Sequence, residues 1–96
     1  MIIATGEKLS QEIDVARWEW LKPHFEREAL LVISKELELA EVGERLAADD
    51  AVMLQRWLAS HLIAKPTPEQ AAAWENNMLQ RFNILIVSPF VLIQEM

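Results

Sequence analysis

The segment Phe82–Ile93 constrains the fold more than any other part of the chain, because nine of its twelve residues are Phe, Ile, Leu or Val. Its two runs, Ile84–Val87 and Phe90–Ile93, are continuously apolar rather than alternating, which is typical of strands buried on both faces. Both runs are rich in β-branched residues and far too short to span a membrane. The segment therefore predicts the central strand, or strand pair, of a small sheet.

Ser88 and Pro89 separate the two runs. A two-residue hairpin favours Asn-Gly or Gly-X, and neither Ser nor Pro adopts a positive φ at low cost. Pro89 also has no N–H to donate to a strand ladder. The sequence therefore argues against a tight hairpin and predicts that the strand bends, bulges or becomes an edge at Ser88-Pro89.

Length and composition predict one soluble, cytoplasmic domain. A chain of 96 residues buries roughly 60–70% of its unfolded surface, enough for one core but not for a deep catalytic cavity. The absence of cysteine excludes disulfides, thiolate metal sites and cysteine nucleophiles. The first six residues lack the basic region of a signal peptide, and we expect no membrane association.

The net charge of −6 is concentrated in one region. Residues 26–50 contain eight acids and three bases, whereas residues 51–96 contain three of each. Such a negative field repels phosphate backbones and anionic lipid, and it favours basic partners or simply solubility.

Periodic apolar residues predict about five helices. These cover Thr5–Asp14, Val15–Glu28, Leu37–Ala48, Ala51–Ser60 and a last helix from Pro68 to about Asn76. Pro23 predicts a kink or a new helix start near Lys22. The expected inward-facing residues include Trp18, Leu21, Phe25, Leu39, Val42, Leu46, Trp57, Leu58, Ala71, Trp74 and Met78.

The remaining segments predict strands and one well-defined helix start. Ala29–Ser34 is a compact apolar strand, and Leu62–Lys65 is a short extended piece before Pro66. Thr67, with Pro68 and Gln70 behind it, matches a capping box. The fold class is α+β: a small three- or four-stranded sheet with about five helices packed on it, the C-terminal strand central and bent at Ser88-Pro89.

The helix pair in residues 37–60 resembles the outline of a winged helix-turn-helix, with Arg56 and Trp57 where a recognition helix often carries such residues. Two acids, Asp49 and Asp50, would however face the phosphates, in the most acidic part of the chain. A nucleic-acid-binding regulator is therefore an alternative function, and not the leading one.

Other chemistry has weak support in the sequence. Asp49 with Asp50, or Glu41 with Glu44, suggests an acid–base pair or metal site, but no Asp-x-Asp-x-Asp-Gly loop is present. His24 and His61 are too far apart to pair by helical spacing, and no catalytic triad or Gly-rich phosphate loop occurs. We predict no enzyme activity, no cofactor, no metal and no catalytic residue, and a small-ligand or metal-binding protein that uses acidic residues is a further alternative.

Tryptophan supplies the leading hypothesis. Trp18 and Trp20 point roughly 200° apart on a helix, so both cannot face one core; Trp20 either packs over the first helix or contacts a partner. We predict a noncatalytic protein-protein interaction or self-associating module, with an unpaired edge of the C-terminal strand as a second contact. The candidate partner surface comprises Trp20, Glu38, Glu41, Asp49, Asp50 and Arg56.

Several of these segments together resemble a known family. They are Trp18, Leu21 and Phe25, the strand from Leu30 to Ser34, the helix ending at Asp49-Asp50, Trp57-Leu58, Pro66-Thr67, Trp74 and the closing VSPFVLIQE. From about Leu9 to Glu95 the chain is similar to the bacterial proteins grouped as Domain of Unknown Function 2288. The resemblance implies a bacterial cytosolic protein without an assigned activity, and it implies Gly after the fourth helix, where this chain has Ser60-His61.

Overall fold

A computed structural model describes residues 13–96 as a five-stranded sheet and four helices. The strands are β1 (Asp14–Arg17), β2 (Leu30–Ile33), β3 (Ile63–Ala64), β4 (Arg81–Val87) and β5 (Phe90–Glu95). The helices are α1 (Trp18–Glu26), α2 (Leu39–Ala47), α3 (Ala51–Ala59) and α4 (Pro68–Glu75). The α+β class is confirmed, but within residues 13–96 the sheet has five strands rather than three or four. Four helices accompany it there, against about five predicted for the whole chain.

The sheet has the strand order β1-β4-β5-β2-β3, so β5 is its middle strand. β5 pairs with β2 in parallel, and the other three pairs are antiparallel. The prediction that the C-terminal apolar segment forms the central strand pair is therefore confirmed.

The predicted bend at Ser88-Pro89 is wrong, because these two residues form a tight hairpin turn. Val87 pairs directly with Phe90, and the Ser88-Pro89 peptide bond is cis. Type VI turns place a cis proline at the third turn position, where no positive φ is required. The far half of the segment lies between β4 and β2 and is not an unpaired edge.

Each face of the sheet carries its own core, as the continuous apolar runs predicted. Alternate residues of β4 and β5 point to opposite faces. One face packs against α1 and α4 and contains Trp18, Leu21, Leu30, Trp74, Phe82, Ile84, Val91 and Ile93. The other packs against α2 and α3 and contains Ile33, Leu39, Val42, Trp57, Ile63, Leu85 and Leu92.

The N-terminal predictions need correction. Most of the helix predicted over Thr5–Asp14 lies in residues 1–12, outside the described residues. Its last residue, Asp14, belongs to β1. Val15 was expected in a helix but pairs with Asn83, so tertiary pairing overrides the local helical pattern. Pro23 lies within α1 without a new helix start, since a proline removes only one helical donor.

Three helices end in the same motif without a glycine. Glu28, Asp49 and His61 follow α1, α2 and α3 with φ of 59°, 57° and 59°. After α3, the N–H of Leu62 donates to the carbonyl of Trp57 and the N–H of His61 donates to Leu58. This is the Schellman arrangement, which glycine usually completes. The left-handed turn is therefore present at His61.

Two residues predicted to face inward do not. Leu58 is 49% exposed and Met78 is 83% exposed. The sequence predicted Met78 on the buried side of the last helix, but α4 ends at Glu75 and Met78 lies beyond it. α3 covers the sheet mainly with Trp57. Leu58, one position along, lies at the margin of this core beside Leu54 and Ile63 and stays half exposed.

Candidate functional site

A groove runs between α1 and the hairpin end of β4. Its first part, of about 490 Å³, is lined by Asp14, Val15, Ala16, Trp20, Ile84 and Ile86. Its second part, of about 420 Å³, is lined by His24, Arg27, Ala29, Ile86, Ser88, Pro89, Phe90 and Val91. Because Ile86 lines both parts, they form one continuous surface, which we call the Trp20 groove.

The wall of the Trp20 groove on α1 is a row of three side chains at i, i+4 and i+7. The rings of Trp20 and His24 are tilted against one another, with centroids 4.7 Å apart. Nη2 of Arg27 lies 2.9 Å from Nδ1 of His24. Residues at this spacing share one side of a helix. The indole, imidazole and guanidinium groups therefore hold each other in place before any partner binds.

The floor of the groove is Ile86, which is 54% exposed. On the same face of β4, Phe82 and Ile84 are buried. Among the described residues, β1 pairs with β4 only as far as Asp14 opposite Ile84, so β4 continues past its neighbour. An exposed isoleucine beside a 43% exposed Trp20 forms the kind of contiguous apolar patch that marks interaction surfaces.

The two ends of the groove carry opposite charges. Asp14 lies at the end beside β1, and Arg27 lies at the end beside the hairpin. Oδ1 of Asp14 accepts a hydrogen bond of 2.8 Å from the backbone N–H of Val15. This bond fixes the carboxylate at the rim and also occupies a backbone donor of the edge strand β1.

A separate polar cluster joins α1 to α4. The carboxylate of Glu75 accepts hydrogen bonds from Nζ of Lys22 at 2.8 Å and from Nε1 of Trp18 at 2.6 Å. These bonds, that of Lys22 first, lower the pKa of Glu75, and the bond to Glu75 raises the pKa of Lys22. The two hydrogen bonds connect α4 to α1 and fix the orientation of α1.

The predicted partner surface does not form one patch. Trp20 lies on α1, which packs on one face of the sheet. The other five residues belong to the pair of α2 and α3, which packs on the other face: Glu38 precedes α2, Glu41 lies on it, Asp49 and Asp50 lie between the helices, and Arg56 lies on α3. The sequence could not show this separation, because helical periodicity identifies the buried side of a helix but not the face of the sheet that it covers.

Two acidic residues of the helix pair, Asp49 and Asp50, have structural roles. Asp50 begins α3 by accepting the backbone N–H of Met53, and it pairs with Arg45 at 3.2 Å. Asp49 occupies the left-handed turn after α2. In residues 13–96, no three His, Asp or Glu side chains are placed to hold a metal ion. Trp57 is buried, whereas Arg56 is exposed.

Sequence reasoning identified Trp20 but missed the other residues of the groove. The spacing of Trp20, His24 and Arg27 is a usable signal for the α1 wall. Ile86 gives no such signal, because its exposure depends on how far β1 extends beside β4. No helix within residues 13–96 combines the length and the apolarity needed to cross a membrane.

Comparisons with known proteins agree with this fold. The family profile described as "Protein of unknown function (DUF2288)" matches residues 4–95. The solution NMR structure of PA1075 from Pseudomonas aeruginosa is similar, with 35% sequence identity and a TM-score of 0.80. The match covers 92% of this chain and 81% of that chain. No curated protein matches significantly. The profile match over nearly the whole length shows that the chain belongs to the DUF2288 family of proteins of unknown function.

Proposed function

We propose that this protein is a noncatalytic protein-interaction module that binds its partner through the Trp20 groove. One observation carries the proposal: Trp20 and Ile86, exposed by 43% and 54%, line a depression of about 490 Å³. Tryptophan contributes disproportionately to binding energy at interfaces. The apolar centre and charged ends of the groove match the usual plan of a hydrophobic interface core with a polar rim.

The strand edges are less suited to binding than the groove. β1 has four residues and β3 has two, and short outer strands offer few backbone groups to another chain. Asp14 also occupies the N–H of Val15 on β1. The proposal therefore places the contact on a face of the domain and not on the C-terminal strand edge that the sequence suggested.

The alternative functions draw less support from the described residues. In a nucleic-acid-binding arrangement of the helix pair, Trp57 would need to be accessible, yet it is part of the core beneath α3. Glu38, Glu41 and Asp49 are exposed on the same pair, where carboxylates oppose binding to phosphates. A metal-dependent function would need several convergent oxygen ligands.

Site-specific photo-crosslinking in the native cell tests the proposal. Benzoylphenylalanine replaces Trp20 in one strain and Met78, an exposed residue outside the Trp20 groove, in a matched control strain. We expect a discrete cross-linked protein at position 20 and none at position 78. Recovery of only the uncross-linked chain at position 20, or the same products at both positions, would contradict the proposed function.

A further inference from the structure

We infer that the occupant of the Trp20 groove is a second copy of this chain, bound around a two-fold axis that passes near Ile86. This inference depends on the proposed function and names its partner. In the resulting dimer, Asp14 of each copy lies opposite Arg27 of the other, and the two Trp20 side chains share one apolar centre.

The charge arrangement of the groove favours this partner. A two-fold interface uses the same surface on both copies, so each surface must be complementary to itself. The Trp20 groove satisfies this requirement, because it has an acid at one end, a base at the other and Ile86 between them. Rotation of a second copy by 180° about the axis near Ile86 places the acidic end of each groove opposite the basic end of the other.

Overall electrostatics makes the local pairing necessary. Each copy carries a net charge of −6, and like net charges disfavour association in general. Charged rims with complementary signs fix the register of an interface and suppress wrong orientations. The Asp14 and Arg27 contacts should therefore decide whether two copies dock in this orientation.

The apolar centre supplies the remaining driving force. Trp20 is held by His24, whose ring lies 4.7 Å away, and Ile86 is fixed on a sheet strand. Rigid aromatic anchors lose little conformational entropy on binding. Burial of both copies of Trp20 and Ile86 adds apolar contact area that the isolated domain leaves in water.

Sedimentation equilibrium of charge variants tests the inference. The wild-type chain should show a reversible, concentration-dependent dimer. Asp14→Arg and Arg27→Asp should each weaken dimerisation at least about tenfold, since each places like charges opposite one another. The double variant D14R/R27D restores unlike pairs, and its dissociation constant should return to within about threefold of wild type, as for coupled sites.

Two control variants make the same charge changes elsewhere. Glu44→Arg and Lys35→Asp alter exposed residues outside the groove, on α2 and in the loop before it. If only net charge mattered, each control would behave like its groove counterpart. We expect both controls to dimerise like the wild type, and circular dichroism should show that all variants are folded.

Two results would overturn the inference. One is a wild-type chain that stays monomeric at all concentrations, as it would if residues 1–12 of the same chain filled the groove. The other is a double variant no better than the single variants. A monomer that still cross-links to a different protein from position 20 would preserve the proposed function, whereas no cross-link would remove both.

Discussion

The backbone of Gly43 in the middle of α2 lies directly against the side chain of Leu85 on β4. A Cβ atom added at Gly43 would overlap Cδ2 of Leu85 and lie 3.5 Å from Cγ2 of Val87. Both Gly43 and Leu85 are buried. A glycine in a helix interior costs about 1 kcal/mol relative to alanine, so close approach of helix and sheet accounts for its presence here.

Gly43→Ala should therefore destabilise the protein despite its better helix propensity. Overpacking costs about 1–3 kcal/mol and the propensity gain is about 1 kcal/mol, which leaves a net loss of up to about 2 kcal/mol. Urea denaturation measures the change.

A Leu85→Val background provides the control, because it removes the atoms that the new methyl group would meet. The cost of Gly43→Ala should fall by at least about 0.5 kcal/mol in that background, as expected for residues in contact. A stabilising effect of Gly43→Ala in the wild type would show that α2 can move away from β4 at no cost.

Local features of this fold were predictable from the sequence because their partners are close along the chain. Oγ1 of Thr67 accepts the N–H of Gln70 at 3.1 Å, and the N–H of Thr67 donates to the side chain of Gln70 at 3.0 Å. These residues are three positions apart, so sequence alone identifies the capping box. The apolar runs of β4 and β5 likewise specify burial on both faces.

Long-range features were not predictable from the sequence. Trp18 and Glu75, 57 positions apart, form a hydrogen bond that no local pattern indicates. The strand β1 exists because residues from Asp14 onward pair with β4, against a helical pattern. Among residues 13–96 the pairing with β4 reaches only to Asp14 opposite Ile84, so the floor of the Trp20 groove at Ile86 became visible only in the folded chain.

His61→Gly should stabilise the protein. His61 has a φ of 59°, and left-handed geometry costs a non-glycine residue roughly 1–2 kcal/mol. Glycine removes this cost, but it also raises the conformational entropy of the unfolded chain, which lowers stability by about 0.4–1 kcal/mol. The difference between these two terms is a net increase of up to about 1.6 kcal/mol in the free energy of unfolding.

Ser60→Gly is the matched comparison, since Ser60 precedes His61 and has a φ of −88°. That variant gains no relief of left-handed geometry and should lose stability through the unfolded chain. Equal effects of the two substitutions in thermal or urea unfolding would contradict the role assigned to the left-handed turn.

The pair of Lys22 and Glu75 predicts how stability depends on pH. Hydrogen bonds, first from Lys22 and then from Trp18, lower the pKa of Glu75 below its unfolded value of about 4.3. Its contribution to stability is therefore complete above about pH 4.3 and is lost as the pH falls through the lowered pKa. The pKa of Lys22 is raised, so its contribution is lost only as the pH rises through that value, above about 10.4.

Comparison of the wild type with Glu75→Gln isolates the contribution of Glu75 to stability at acidic pH. The difference in their free energies of unfolding should be constant near neutral pH and should shrink as the pH falls below about 4.3. Glu69→Gln serves as the control, because Glu69 is exposed on α4 and makes no side-chain hydrogen bond or ion pair within residues 13–96. A constant difference down to strongly acidic pH would show that the pair does not lower the pKa of Glu75.

The side-chain amide of Gln94 fixes the loop that leads from β2 into α2. Nε2 of Gln94 donates to the carbonyl oxygens of Ser34 and Leu37 at 2.9 Å and 2.8 Å. In Gln94→Glu the carboxylate cannot donate, and it faces two carbonyl oxygens at close range. The carbonyl of Ser34 keeps the N–H of Leu37 as a donor, so one partly buried acceptor, the carbonyl of Leu37, loses the donor that Gln94 supplies. An acceptor left unpaired in this way costs about 1–3 kcal/mol, and we expect a loss of that size. Gln94→Leu, which removes the donors without adding a charge, should cost less.

Hydrogen exchange at the Leu37 amide, which donates to Ser34 at 3.0 Å, should accelerate in both variants and more in Gln94→Glu. If Gln94→Glu unfolded at the wild-type urea concentration, the amide would contribute nothing to the loop, and the position of α2 on the sheet would depend on the packing of Leu39, Val42 and Gly43 alone.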